Sequence, residues 1–165
     1  MQSPFEYQME ILRVELDQIN SSIRQMDDIT KSIKDWAIVT WTLSLGTTLA
    51  TTTLNPYIGF TAIIPVVFWL TDARYRQIQR RFIYRIRQIS DFLNDKKLKQ
   101  SFDEQQLIGF QVLDPMATKS RGHPDYESYV CLFRTLRFGS VLWLYICLIL
   151  ISIVAHLVFY KLIFH

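Results

Sequence analysis

Apolar residues recur along the start of this chain with the period of a single helical seam. Phe5, Met9, Leu12, Leu16, Ile19, Ile23, Met26, Thr30, Ile33 and Ala37 are separated alternately by four and three residues. Such a 3.5-residue repeat keeps one narrow stripe facing a partner helix. Charged residues flank the stripe, and Thr30 is its only polar position. The pattern predicts a long helix over 1–36 that pairs in a coiled coil or bundle. Asn20, Ser21 and Ser22 are weak helix formers, but the repeat runs straight through them.

Beyond Trp36 the pattern changes. Ala37–Thr71 and Phe138–Tyr160 contain no Asp, Glu, Lys or Arg. Uncharged blocks of this length in a chain of 165 residues exclude an ordinary water-soluble globule. Asn55-Pro56 is a turn signal that divides the first block into a hairpin. Its arms, Ala37–Leu54 and Tyr57–Thr71, would span about 27 Å and about 22 Å as helices, with Pro65 a candidate kink in the second. Phe138–Tyr160 would span about 34 Å, enough to cross a bilayer with some tilt.

At Asp72 the chain turns basic. Tyr75, Ile78, Phe82, Ile86, Ile89 and Leu93 keep helical spacing among Arg74, Arg76, Arg80, Arg81, Arg85 and Arg87. This predicts a helix continuing from the second span, ending around Asp95–Lys99. Residues 100–125 hold turn signals at Asp114-Pro115 and Gly122-His123-Pro124, with Leu107–Leu113 readable as a short strand or a helical turn. Tyr126–Arg137 reads as a helix entering the last span. The expected fold is an all-α membrane protein. It comprises a cytoplasmic heptad helix (1–36), a transmembrane hairpin (37–71) and a returning basic cytoplasmic helix (72–99). An irregular cytoplasmic segment with a pre-membrane helix (100–137) then leads to a third transmembrane helix with a short outer tail (138–165).

Composition adds little until it is localised. The chain is 50% hydrophobic with a net charge of +3. Residues 1–36 carry −3, whereas residues 72–100 carry +6. Arginines crowd the exit of the second span, and Arg134 and Arg137 abut the third. The positive-inside rule therefore puts the arms in the cytoplasm, with the Asn55-Pro56 tip and the C-terminus outside. Acidic and basic arms on one side should pair, either within a protomer or between copies. Cys131 and Cys147 read as free thiols, and the charged N-terminal region has no apolar core of a signal peptide.

Two features carry candidate chemistry. Thr40, Ser44, Thr47 and Thr51 lie within about 60° of one another on the first span, and Thr48 widens the stripe. Hydroxyls in a membrane helix either bond their own i−4 carbonyls at a packing face or line an aqueous pore. The six arginines either fix topology and touch anionic lipid headgroups, or form an anion site for nucleotides or short oligonucleotides. Asp72 is expected as a cap or ion-pair partner, and His156 as a packed or interfacial residue. His123, with Asp125 and Glu127 nearby, reads as a turn before it reads as a ligand group. No catalytic motif, glycine-rich phosphate loop or metal-ligand spacing is present. The chain therefore predicts no enzymatic activity, no cofactor and no metal.

The layout of Trp36–Leu54, Pro56–Leu70, the exit segment Thr71-Asp72-Ala73-Arg74-Tyr75 and the basic helix through Phe82 and Arg87 resembles the bacterial SLATT families. These are small membrane proteins found with nucleotide-second-messenger and other defence modules. The resemblance covers about the first 95 residues, and the third span departs from the two-span family core. It implies a pore-forming effector in the bacterial inner membrane, assembled as a homo-oligomer and controlled by a cytosolic nucleotide, oligonucleotide or regulatory protein. Thr40, Ser44, Thr47, Thr48 and Thr51 would then line the pore, and the arginines would bind the ligand. The alternative is a non-conducting membrane anchor whose coiled-coil arms recruit a partner protein.

Overall fold

The computed structural model describes residues 3–164, so position 165 of the expected outer tail lies outside the described residues. Among the described residues all regular structure is helical. Helix α1 runs over Pro4–Ala50, followed by an extended 3-10 segment over Thr52–Ala62 and α2 over Ile63–Leu93. Three short helices follow: α3 (Lys96–Asp103), α4 (Pro124–Val130) and α5 (Leu132–Leu136). Helix α6, Gly139–Phe164, completes the chain. Two compact units result, one of Met1–Asp27 with Gln77–Cys131, the other of Asp28–Arg76 with Leu132–His165.

The first unit is built on the seam. Ser3 and Glu6 cap α1 reciprocally: the Glu6 N–H donates to Ser3 Oγ (3.2 Å) and the Ser3 N–H to Glu6 Oε2 (2.8 Å). The first buried seam residue, Phe5, lies within this capping box. Leu12 and Ile19 then bury against Phe82 and Ile89 of α2, with Leu16, Ile23, Ile78 and Ile86 packed alongside. The acidic and basic arms thus satisfy their stripes within one chain. Phe110 and Val112 close the cluster from the irregular segment. Phe102 of α3 meets Phe5 edge-on, with ring centres 5.0 Å apart.

Local chemistry explains where the sequence expectations fail in this unit. The basic helix does not fray beyond Leu93. Asp95 accepts the Lys97 N–H (3.3 Å) and starts α3 instead. Leu107–Leu113 forms neither strand nor helical turn. Gly109 and Leu113 both take positive φ there (69° and 65°), which breaks either repeat. Tyr126–Arg137 is two helices, interrupted at Cys131, whose ψ of 128° is extended.

In the second unit, Ala37, Val141 and Tyr145 form the buried centre, with Phe68, Trp69, Phe138 and Leu144 around it. The hairpin tip is broader than a tight turn. Thr52–Ala62 winds as a 3-10 segment, unusually long for that geometry, against α6. Gly59 faces the His156 ring, from which a Cβ at that position would stand 3.4 Å away. Pro65 does not kink α2. The helix begins at Ile63, so Pro65 lies in the first turn, where its missing N–H leaves no bond broken.

Two helical stretches, Pro56–Leu93 and Pro124–Lys161, are long and apolar enough to cross a membrane. The first expected span, Ala37–Leu54, is not among them, because eight of its eighteen residues are Ser or Thr.

Glu15 and Arg85 hold the first unit's helices in one register, and both side chains are almost wholly buried. Replacing Glu15 with Gln should destabilise this unit by about 3–5 kcal/mol, because Arg85 is left buried and uncompensated. Thermal unfolding followed by circular dichroism measures the loss. Replacing both residues, Glu15→Leu with Arg85→Met, should recover only part of it, because the Leu113 and Asp114 N–H groups and the Gln111 carbonyl then lose their side-chain partners.

Candidate functional site

Polar side chains in the second unit gather inside, in two groups. In one, the Trp41 indole N–H donates to Ser152 Oγ (2.8 Å). The Ser152 hydroxyl donates to the Leu148 carbonyl (3.1 Å). The Thr61 hydroxyl donates to the Ile58 carbonyl (2.7 Å) and lies 3.1 Å from Ser152 Oγ. Each donor therefore has an acceptor despite burial, as apolar surroundings demand. In the other group, Asp72 is wholly buried, with Lys34 Nζ at 3.8 Å and the Tyr145 hydroxyl donating at 3.4 Å. One residue from each of α1, α2 and α6 meets there. Asp72 Oδ1 accepts no hydrogen bond from a described residue.

The expected hydroxyl stripe divides in two. Thr48 is buried, and its hydroxyl donates to the Ser44 carbonyl (2.7 Å). Ser44 and Thr51 are half-buried. Thr40 and Thr47 are exposed, with the Thr47 hydroxyl donating to the Leu43 carbonyl (2.8 Å). The side of this helix that packs inward is marked by Ala37, Trp41 and Thr48, so Thr40 and Thr47 lie away from it. Self-bonded hydroxyls of this kind are compatible with lipid, a neighbouring helix or water.

The six arginines are not presented as one set. Arg74 and Arg76 belong to the second unit, and the other four to the first. Arg85 is buried in the bidentate pair with Glu15, its Nε–H 2.9 Å from Oε1 and its Nη2 3.3 Å from Oε2. It also donates to the Gln111 carbonyl and lies over the Phe110 ring. Arg80 is buried, with its guanidinium 4.1 Å from the centre of the Tyr129 ring. Arg87 is exposed beside Asp91 (4.0 Å), Arg74 is exposed, and Arg76 and Arg81 are half-buried.

Sequence reasoning missed Glu15, although the signal was present. Glu15 follows Leu12 by three residues and precedes Ile19 by four. Arg85 stands in the same relation to Phe82 and Ile89. These equivalent places beside two paired stripes are where opposite charges meet across a seam. Glu15 also accepts the backbone N–H groups of Leu113 (2.8 Å) and Asp114 (3.1 Å), which pins the irregular segment to α1. Beside it lies a cavity of about 370 Å³, bordered by Phe92, Phe110, Lys97, Lys119, Asp91 and Asp95 among others. The charges on its border are mixed, unlike the strongly positive site expected of a nucleotide receptor.

Asp114 organises the next turn. Burial alone would raise its carboxyl, but the Thr118 hydroxyl (2.6 Å), the Thr118 N–H (2.7 Å), the Lys119 N–H and the charge of Arg85 lower it below the ordinary 3.8. His123 occupies the N-cap position of α4, and Glu127 Oε1 accepts the Gly122 N–H (3.2 Å). No group of three or more metal-ligating side chains occurs among the described residues. Comparisons with protein-family models, curated proteins and solved structures found no match for the chain.

Two outcomes follow from these groups. Asp114 binds a proton less readily folded than unfolded, so its contribution to stability is present above pH 3.8. It is lost as pH falls from there through the lower folded value. The stability gap between wild type and Asp114→Asn, measured by thermal unfolding across that range, should close on acidification. In the second unit, Lys34→Met alone should destabilise, since it removes the Lys34 cation that stands 3.8 Å from the buried Asp72 carboxylate. Lys34→Met with Asp72→Leu should be neutral, or stabilising by about 1–4 kcal/mol, in the same assay.

Proposed function

We propose that the protein is an oligomeric membrane pore that acts as a gated effector in bacterial defence. The observation that carries this reading is the division of the hydroxyl stripe on α1. Thr48 is used inside the chain, while Thr40 and Thr47 remain uncovered beside exposed Leu43 and Val39. A polar strip on the outside of an otherwise apolar bundle is suited to a neighbouring copy or a water-filled path. On this reading Ala37–Leu54, Tyr57–Thr71 and Phe138–Tyr160 all cross the bacterial inner membrane, with the N-terminus cytoplasmic and the C-terminus outside. The SLATT-like layout supplies the defence role and the homo-oligomer. Three spans cannot enclose a wide pore alone, so several copies are required.

Control would lie in the charged first unit, through a cytosolic nucleotide, oligonucleotide or protein. Within that unit Arg81 and Arg87 are the arginines most available to it, because Arg85 is engaged by Glu15 and Arg80 lies against Tyr129. A pure scaffold acting through its heptad seam has less support. Leu12 and Ile19, which would have to bind the partner, are already buried against Phe82 and Ile89.

Ion flux in liposomes containing the full-length protein tests the pore. Thr40→Leu with Thr47→Leu should remove the flux while the protein still inserts and oligomerises. Unchanged flux would overturn the assignment of the pore wall.

A further inference from the structure

The stretch between α5 and the first turns of α6 combines features that neither the pore nor the seam uses. Helix α5 has five residues, too few to be stable alone. It is held by its inner side: Thr135 is fully buried, and the Leu136 carbonyl accepts the Trp69 indole N–H (3.3 Å). Its outer side is thereby fixed, and it displays Phe133 at 78% exposure next to exposed Arg134. Arg137 is also exposed. One turn into α6, Trp143 is 67% exposed, and its ring lies back along the helix, 3.6 Å from where a Cβ on Gly139 would stand. In water, a rigidly presented Phe and Trp of this exposure would be a liability. Two arginines between two aromatic rings, at the point where a charged segment becomes an apolar helix, match the headgroup layer of a bilayer.

We propose that Phe133–Trp143 is a binding surface for anionic phospholipid. Arg134 and Arg137 engage the headgroup phosphate, and Phe133 and Trp143 seat at the junction of headgroups and acyl chains. Arginine suits this role because its planar fork bonds phosphate oxygens in pairs. The occupant is a lipid and not a soluble phosphate compound, because the flanking rings offer apolar surface where a water-borne ligand would need polar contacts. The inference rests on the proposed membrane embedding and names the lipid that the embedded unit selects.

The test uses full-length protein reconstituted into vesicles of phosphatidylglycerol and phosphatidylcholine. The protein is then extracted gently, and the retained lipid is identified by native mass spectrometry. Wild type should retain phosphatidylglycerol in excess of its share in the vesicles, and high salt should reduce that excess. Arg134→Gln with Arg137→Gln should lower the excess on the order of fivefold per arginine removed. Arg134→Lys with Arg137→Lys should keep part of it. Equal retention of both lipids by wild type, or an undiminished excess in the Gln variant, would overturn the inference. An alkaline carbonate wash separates this failure from failure of the embedding: a protein that washes off was never embedded, whereas one that stays without lipid preference refutes this surface alone.

Discussion

Trp41 and Thr61 converge on Ser152 beneath a surface that presents Leu43, Val67, Leu150, Val154 and Leu157. The second unit is therefore polar at selected points inside and apolar outside. In water this arrangement would be costly on both counts, since buried polar groups need partners and exposed apolar area drives association. In a bilayer the cost of the exposed apolar area is removed while the internal hydrogen bonds satisfy the polar groups, and an α6 that carries no charge over 139–160 and is hydrophobic on all sides becomes an ordinary element. The proposed membrane embedding follows from this distribution, and the proposed pore is a statement about which polar residues are left outside it. The Asp72, Lys34 and Tyr145 group is the point of greatest tension within the unit, because a buried carboxylate is held there by two long contacts. Partial satisfaction of a buried charge is weak support for stability, and such a group is easily disturbed by losing either partner.

The first unit solves a different problem. Residues 104–123 contain little regular structure and cannot satisfy their own backbone. Glu15 answers this by reaching out of the helix seam. Its two oxygens take the Arg85 guanidinium and the N–H groups of Leu113 and Asp114. Arg85 in turn holds the Gln111 carbonyl, and Asp114 gathers Thr118 and Lys119. A chain of charge-assisted bonds thus passes from α1 through α2 to the irregular segment, with the residues at positive φ, Leu113 and Ala117, sitting between its anchors. A ligand acting on this unit would work against that chain of bonds, which gives the unit a physical means of responding.

Much of the fold was legible because it depends on period and composition. The seam from Phe5 to Ala37 is buried or half-buried at every position, including Thr30, and α6 coincides closely with its uncharged block. What was not legible depends on one side chain reaching another far along the chain. The Asn55-Pro56 signal marks a reversal, but the length of the 3-10 segment is set by packing of Ile58, Gly59 and Thr61 on α6. Leu107–Leu113 looked periodic, yet its path is fixed by the distant Glu15 carboxylate. The arginines illustrate the same limit. Their number suggested a common anion site, whereas burial divides them into Arg80 and Arg85, used for packing and pairing, and Arg74 and Arg87, left outside. Thr40, Ser44, Thr47 and Thr48 of the hydroxyl stripe lie on α1, whereas Thr51 falls just past its end with extended backbone, and only the position of Trp41 tells which edge is turned inward.

Embedding of the second unit is the claim on which the pore, the lipid surface and the orientation all rest. Cys147 offers a direct test without altering the bundle: it is exposed on α6, and its thiol is free. In a Cys131→Ser background, right-side-out and inverted membrane vesicles are treated with a charged, membrane-impermeant maleimide. Cys147 should stay unlabelled in both and react only after the membrane is dissolved and the protein denatured. Rapid labelling in intact vesicles of either orientation would place α6 in water and contradict the account.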